Sequence, residues 1–263
     1  MIIQLSALDL SLAALLVVAL ALVCRRLQLG IGGRLIWSAV RTVIQLSLIG
    51  FVLKALFAGS AAGWVLLMSL VMLLAAGREV LARQKNPLRG SWGFGAGLTA
   101  MFISSFAVTV LALTVVVGPE PWYEPRYAIP LLGMMLGNTM NGLSLSLNHL
   151  TLNIRQNRPA IETRLALGQT KSEAIQEIRR ESVRTGLIPI VNSMAAAGLV
   201  SLPGMMTGQI LAGNPPLDAV KYQVLIMFLI AGGTGFGTLA AVWITSHRLF
   251  DDRQRLRLDR LKS

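Results

Sequence analysis

Residues 158–189 read RPAIETRLALGQTKSEAIQEIRRESVRTGLIP, a charged stretch set between two strongly apolar ones. Its pattern is helix, glycine break, helix. Pro159 suits the first turn of a short helix, where a missing N–H costs nothing. Ile161 and Leu165 share a face at i, i+4. Gly168 stands where a helix ends in a left-handed residue. Thr170 opens a second helix with Glu173 three residues on, a capping box. Ala174, Ile175 and Ile178 make a narrow apolar stripe, and Lys171, Glu173, Glu177, Arg179, Arg180 and Glu181 make the rest wet. A water-soluble helical hairpin inside an apolar chain is expected to serve as a contact for another protein.

The surrounding chain is membrane-like. It has 263 residues, 54% hydrophobic and only 14% charged, against about 25% charged in soluble domains. Several runs reach the roughly 20 apolar residues that cross a hydrocarbon core. The spacing predicts seven spans, at about 5–24, 36–57, 64–77, 94–118, 128–147, 186–213 and 224–246. The hairpin lies at 155–185, between the fifth and sixth spans, and a basic tail at 247–263. The fold expected is therefore all-α, one polytopic transmembrane domain. With the N-terminus outside, 20 of the 24 Lys and Arg residues fall in cytoplasmic loops and the C-terminal tail, as the positive-inside bias requires. No Lys or Arg precedes the first span, which argues against a secretory signal. The net charge of +12 is explained by that bias, so nucleic acid is not expected as a partner; membrane lipids are. Leu249, Leu256 and Leu261 suggest an amphipathic helix lying on anionic lipid.

Within the spans the polar residues stand out. Asp9 lies near the outer end of the first. Arg41 and Gln45 share one face of the second, and Arg41 has two placements open to it: a cavity, or the headgroups by snorkelling. The fifth span, IPLLGMMLGNTMNGLSLSLNHL, carries Pro130 and a Gly133/Gly137 G-x-x-x-G pair that permits close helix contact. Asn138, Thr139 and Asn141 put polar groups near the expected bilayer middle. The sixth span should be kinked or broken at Pro189 and at Leu202-Pro203-Gly204; Asn192, Met205 and Met206 lie along it. Broken helices at membrane depth recur at transport sites. Gly233 and Gly237 in the last span form a second G-x-x-x-G pair, read as packing. Candidates for a cargo path are Met134, Met135, Asn138, Asn141, Asn192, Met205 and Met206. Thioether sulfur suits Cu(I) better than iron, so these define no metal site.

Several functions are excluded. No serine–histidine pair, metal-ligand cluster or pair of intramembrane carboxylates is present, so an intramembrane protease is not expected. There is no G-x-x-x-x-G-K-[ST] phosphate loop, so the chain is not an enzyme that hydrolyses ATP, and it needs no cofactor of its own. A secondary carrier or channel remains open on the residues alone.

The run Glu162-Thr163-Arg164-x-x-x-Gly168, with Ile178 ten residues beyond, resembles the EAA loop of ATP-binding-cassette permeases, which docks on the ATPase subunit. Thr163 and Arg164 stand where that loop has alanines, and Arg180-Glu181 where it has Leu-Pro. Over nearly the whole chain, IPLLGMMLGNTMNG, ETRLALGQTKSEAI, SVRTGLIPIVNSMAAAGLVSLPGMMTGQILAG and WSAVRTVIQLSLIGFVLKALF resemble the FetB-like (UPF0014) permeases. The resemblance implies a permease subunit in the cell inner (plasma) membrane, working as a homodimer with an ATP-binding-cassette ATPase that carries ATP and Mg. It implies iron export as the activity. Plant relatives linked to aluminium tolerance make another metal or a nucleotide sugar the alternative cargo. The ATPase-coupling set it implies is Glu162, Arg164, Leu165, Gly168, Thr170, Glu173 and Ile178.

Overall fold

A computed structural model describes residues 6–58 and 62–262. The start of the first span at residue 5 and the turn at 59–61 lie outside them. Among the described residues the chain is helical apart from three isolated β-bridges. It divides into two compact units, one formed by residues 1–60 with 210–214 and the other by the remainder.

The smaller unit is a helical hairpin of α1 (Ala7–Arg26) and α2 (Gly32–Ala58). Asp9 has a structural task here: with Ser6 it forms a capping box, Ser6 Oγ donating to its carboxylate at 2.7 Å. Gly32 allows the turn between the helices to close, since a Cβ there would lie 3.0 Å from the Ala21 carbonyl oxygen. Nearly all of the apolar side chains of this unit are exposed, with Leu8, Leu16 and Phe51 more than 70% accessible. Such surfaces are stable only against hydrocarbon or another protein. Arg41 and Gln45 are likewise exposed on α2.

The larger unit is built around α6 (Pro125–Gln156), which packs against α3 (Ala62–Ala82), α9 (Gln176–Ala196) and α11 (Pro216–Arg248). The expected fourth span runs through α4 (Ser91–Met101) and α5 (Ala107–Leu111), each followed by a π-helical segment, at Phe102–Phe106 and Ala112–Val117. The first π segment tucks Ser104 and Ser105 into the core, where Ser105 Oγ donates to Thr139 Oγ1 at 3.3 Å. Among the described residues five helices, α1, α2, α3, the Ser91–Val117 run and α11, are long and apolar enough to cross a membrane. The protein is polytopic.

The fifth and sixth expected spans differ from these five, and for physical reasons. α6 has 32 residues, about 48 Å of helix, against a hydrocarbon core of about 30 Å. It therefore continues well past residue 147 and delivers the chain to the hairpin. Pro130 and three glycines lie inside it without breaking it. Pro189 likewise sits inside α9 without ending it, a correction to a break there; Ser193 Oγ donates to the Pro189 carbonyl at 2.8 Å. The break expected at Leu202-Pro203-Gly204 is present, the helix being interrupted at 197–203, before α10 (Gly204–Leu211). There Gly198 has φ +83°, and the Val200 and Ser201 amides both donate to the Ala196 carbonyl. The loop thus satisfies much of its own backbone, with the Gly198 amide donating in turn to the Ser201 carbonyl.

The two G-x-x-x-G pairs have different fates. Gly233 and Gly237 are tight: a Cβ would lie 2.2 Å from Met135 Cε at the first and 2.6 Å from Ser104 Oγ at the second. Gly137 has nothing within 4 Å of an added Cβ, and Gly133 only the end of Met72. The close approach on α6 is one turn further on. Gly142 faces Gly186 of α9, each within 3.0 Å of the other's carbonyl oxygen if given a Cβ, with Thr238 of α11 beside both.

Candidate functional site: the hairpin and its brace

The hairpin forms as its capping residues dictate. α7 (Arg158–Ala166) carries Pro159 in its first turn. The chain reverses through Gly168 at φ +90°. Thr170 caps α8 (Lys171–Ala174) in a capping box with Glu173. After a break at Ile175, α9 begins at Gln176 and runs without interruption to Ala196. The wet helix and the first half of the expected sixth span are thus one continuous helix.

The apolar residues of the hairpin hold it to the bundle. Ile161 and Ile175 are 1% and 2% exposed, in one core with Leu150 and Ile154 of α6. Leu165 and Ile178 pack against the same core from its edge. Of the expected coupling set, Leu165 and Ile178 are therefore partly buried against the core. Arg164 is partly internal as well: its Nη1 donates to the Ala174 carbonyl at 3.2 Å, tying the two arms together. Glu162 is exposed and paired with Arg158 at 2.8 Å. Leu167, beside Gly168 at the tip, is 80% exposed. Its position next to the turn glycine was the only cue to it in the sequence, since it breaks the apolar stripe.

The backbone amide of Thr170 and then its hydroxyl donate to the Glu173 carboxylate, which holds its pKa below the usual carboxylate range. A lowered folded value means a contribution that is complete above the unfolded value of about 4.3 and is lost as pH falls through the folded one. The Thr170 amide resonance should therefore stay constant from neutral pH down to about 5 and shift below it. Glu173→Gln should abolish that shift; a shift that survives would mean another group is responsible.

The tail differs from expectation. Instead of an amphipathic helix on lipid, residues 249–262 fold back onto the protein, with only a short 3-10 turn at Leu258–Arg260. Leu249 and Leu261 are buried in the core. Leu88 and Leu261 form an antiparallel bridge, with Arg89 N donating to the Arg260 carbonyl at 2.7 Å and Lys262 N to the Pro87 carbonyl at 2.8 Å. The three leucines pack on the protein core, Leu249 and Leu261 fully and Leu256 partly, so the tail covers its apolar side chains without lipid. At the other side the Lys171 amide donates to Gln254 Oε1 at 2.8 Å. A polar cleft of about 740 Å³ lies between hairpin and tail, lined by Glu162, Gly168, Gln169, Asp252, Arg253 and Gln254. The tail is thus a brace between the α3–α4 loop and the hairpin.

The cargo-path candidates separate. Met135 is fully buried beneath Gly233 and is a packing residue. Asn141 accepts from Arg83 Nη1 at 2.7 Å, and Asn148 accepts from the Lys85 amide at 2.8 Å, so this end of α6 anchors the α3–α4 loop. Asn138 is exposed and bonds within its own helix, to the Met134 carbonyl. Asn192 is exposed on α9; Met134, Met205 and Met206 are half-buried. The Met206 amide lies 3.3 Å from Gln223 Oε1 of α11, which fixes the start of α10. No group of three or more His, Cys, Asp or Glu stands close enough to hold a metal ion among the described residues.

Known proteins place this architecture. No solved structure matches the chain. UPF0014 membrane protein slr1647 of Synechocystis is 42% identical over 228 residues, 87% of each chain. The Probable iron export permease protein FetB of Escherichia coli is 34% identical over 97% of this chain and 96% of its own. Protein ALUMINUM SENSITIVE 3 of Arabidopsis thaliana is 35% identical over 88% of this chain and 83% of its own. The sequence profile of an uncharacterised protein family, UPF0014, matches residues 7–250; the chain belongs to that family.

Proposed function

We propose that the protein is the permease subunit of an ATP-binding-cassette transporter, spanning the bacterial inner membrane seven times with the hairpin and tail in the cytoplasm. Two copies assemble with two ATPase chains, which carry ATP and Mg. The observation that carries this reading is the hairpin: an exposed tip at Leu167–Gly168 on arms whose inner faces are locked to α6 and whose second arm continues into the sixth span. Closure of the ATPase pair pushes the tip, and α9 transmits the push as a lever. Export of a metal, with iron foremost, follows from the name of the Escherichia coli relative. With no cluster of His, Cys, Asp or Glu among the described residues, iron would cross hydrated or chelated, past exposed amides such as that of Asn138.

Co-expression of the chain with a family relative's ATP-binding-cassette ATPase tests this. The two are expected to co-purify, and inverted vesicles holding both to accumulate iron only with ATP. Leu167→Asp should cut recovery of the ATPase about tenfold, the order expected when an anchor residue contributing roughly 1–2 kcal/mol is lost, with no change in the level of the permease. Iron movement that persists without an ATPase would sink the reading in favour of a secondary carrier.

A further inference from the structure

A groove of about 940 Å³ runs between α9 and α11. Its two ends differ in chemistry. Arg179, Arg180 and Arg184 line the end near the hairpin. Leu187, Ile188, Val191, Leu239 and Trp243 line the rest, and Asn192 stands at the far end. Ile188, Val191, Leu239 and Trp243 are each about half exposed, so the groove is open along its side. Along α9, eleven residues separate Arg180 from Val191, about 17 Å of helix. One leaflet of a bilayer core is about 15 Å deep.

We infer that this groove binds an anionic phospholipid of the leaflet on the hairpin side, its phosphate on the arginines and an acyl chain along the apolar wall. Three features commit the site to that occupant. The change from basic to apolar occurs along one helix and over one leaflet's depth. Trp243, an indole in the groove wall that also stacks on His247, has the amphipathic character found at headgroup level. The acids that neighbour the arginines do not line the groove: Glu181 pairs with Arg184, and Glu177 lies 4.0 Å from Arg180, on the solvent side. Such exposed pairs are weak, so a phosphodiester can replace them with the bidentate bonds that guanidinium favours. Arg179 is held in place by Ser172, to whose Oγ it donates at 2.7 Å. The inference rests on the chain's crossing a membrane and not on the permease reading.

Native mass spectrometry of the full chain, released from micelles containing equal phosphatidylglycerol and phosphatidylcholine, tests it. The wild-type chain should carry phosphatidylglycerol about tenfold more often than phosphatidylcholine, since basic residues at the headgroup level favour anionic lipid. The triple variant Arg179→Gln, Arg180→Gln, Arg184→Gln should bring that ratio to near unity. Val191→Trp leaves the charge alone but fills the apolar wall, and should remove the bound lipid; Val191→Phe repeats this with less added volume. Equal retention of the two lipids by the wild type would overturn the inference. So would displacement of the adduct by inorganic phosphate, which would mark an anion site with no acyl chain. Ready disulfide formation between two copies of Ile188→Cys, in a Cys24→Ser background, would show that a second copy covers the groove and would equally overturn it.

Discussion

Gly186→Val is expected to lower the unfolding temperature of the chain in detergent by about 6–12 °C. The argument is geometric. Even an alanine Cβ at this position would lie 2.7 Å from the Gly142 carbonyl oxygen and 2.9 Å from both Ser146 Cβ and Thr238 Cγ2. The first of these is backbone and has no rotamer to change. Two helices must part, and with them the α11 contact that Thr238 makes. Overpacking of this kind costs about 3 kcal/mol, and each kcal/mol moves the transition by roughly 2–4 °C at this chain length. Gly137→Ala on α6 is the control. Its Cβ meets nothing within 4 Å, and alanine is the better helix former by about 1 kcal/mol, so stability should hold or rise. Equal transitions for the wild type and Gly186→Val would show that the three helices do not meet as tightly as described.

Gly168→Val should act in the opposite way, sparing stability and removing function. An added Cβ at Gly168 touches nothing within 4 Å, so no clash opposes it. The obstacle is the backbone, at φ +90°, a region where L-residues lose about 1–2 kcal/mol. That strain is confined to the tip, because Ile161 and Ile175 anchor the arms independently of the turn. The unfolding temperature should therefore stay within about 2 °C, since local strain at an exposed turn is relieved by local opening. If the hairpin couples an ATPase to the spans, ATP hydrolysis should continue while transport falls about tenfold or more, the tip no longer being held in one geometry. Gly168→Asn should lie between, as asparagine tolerates left-handed backbone better than valine does. Full transport with valine at 168 would remove the hairpin from the coupling route.

The features legible in the sequence were those written in local chemistry. Pro159, Gly168 and the Thr170–Glu173 box determine the hairpin within fifteen residues, and each was found as its residue type predicts. Apolar runs set the spans, though their ends moved, because a helix stops where its caps and partners are and not where hydropathy changes. What could not be read was pairing between distant segments. Gly142 and Gly186 lie on different helices with no motif joining them, whereas Gly133 and Gly137 satisfy a motif and meet little. Asn141 looked like a lining residue because nothing local shows that Arg83 reaches it. The tail misled for the same reason: its leucine spacing resembles a surface helix, but Pro87 and Arg89, far earlier in the chain, supply the backbone partners that hold it extended. Pro189 shows the limit of a composition rule, since α9 carries it within the helix and breaks only where Gly198 supplies a left-handed turn.

The brace also sets an order of assembly. Residues 249–262 leave the ribosome after every helix that they tie together, and their partners at 87–89 have by then been waiting for some 160 residues of synthesis, on the order of 10–30 s at bacterial translation speeds. During that interval the α3–α4 loop is held by α6 alone, through Asn141 and Asn148, and the hairpin by its buried isoleucines. A ribosome that stalls before the tail is made thus yields a chain whose helices are complete but whose α3–α4 loop and hairpin are not yet tied to one another.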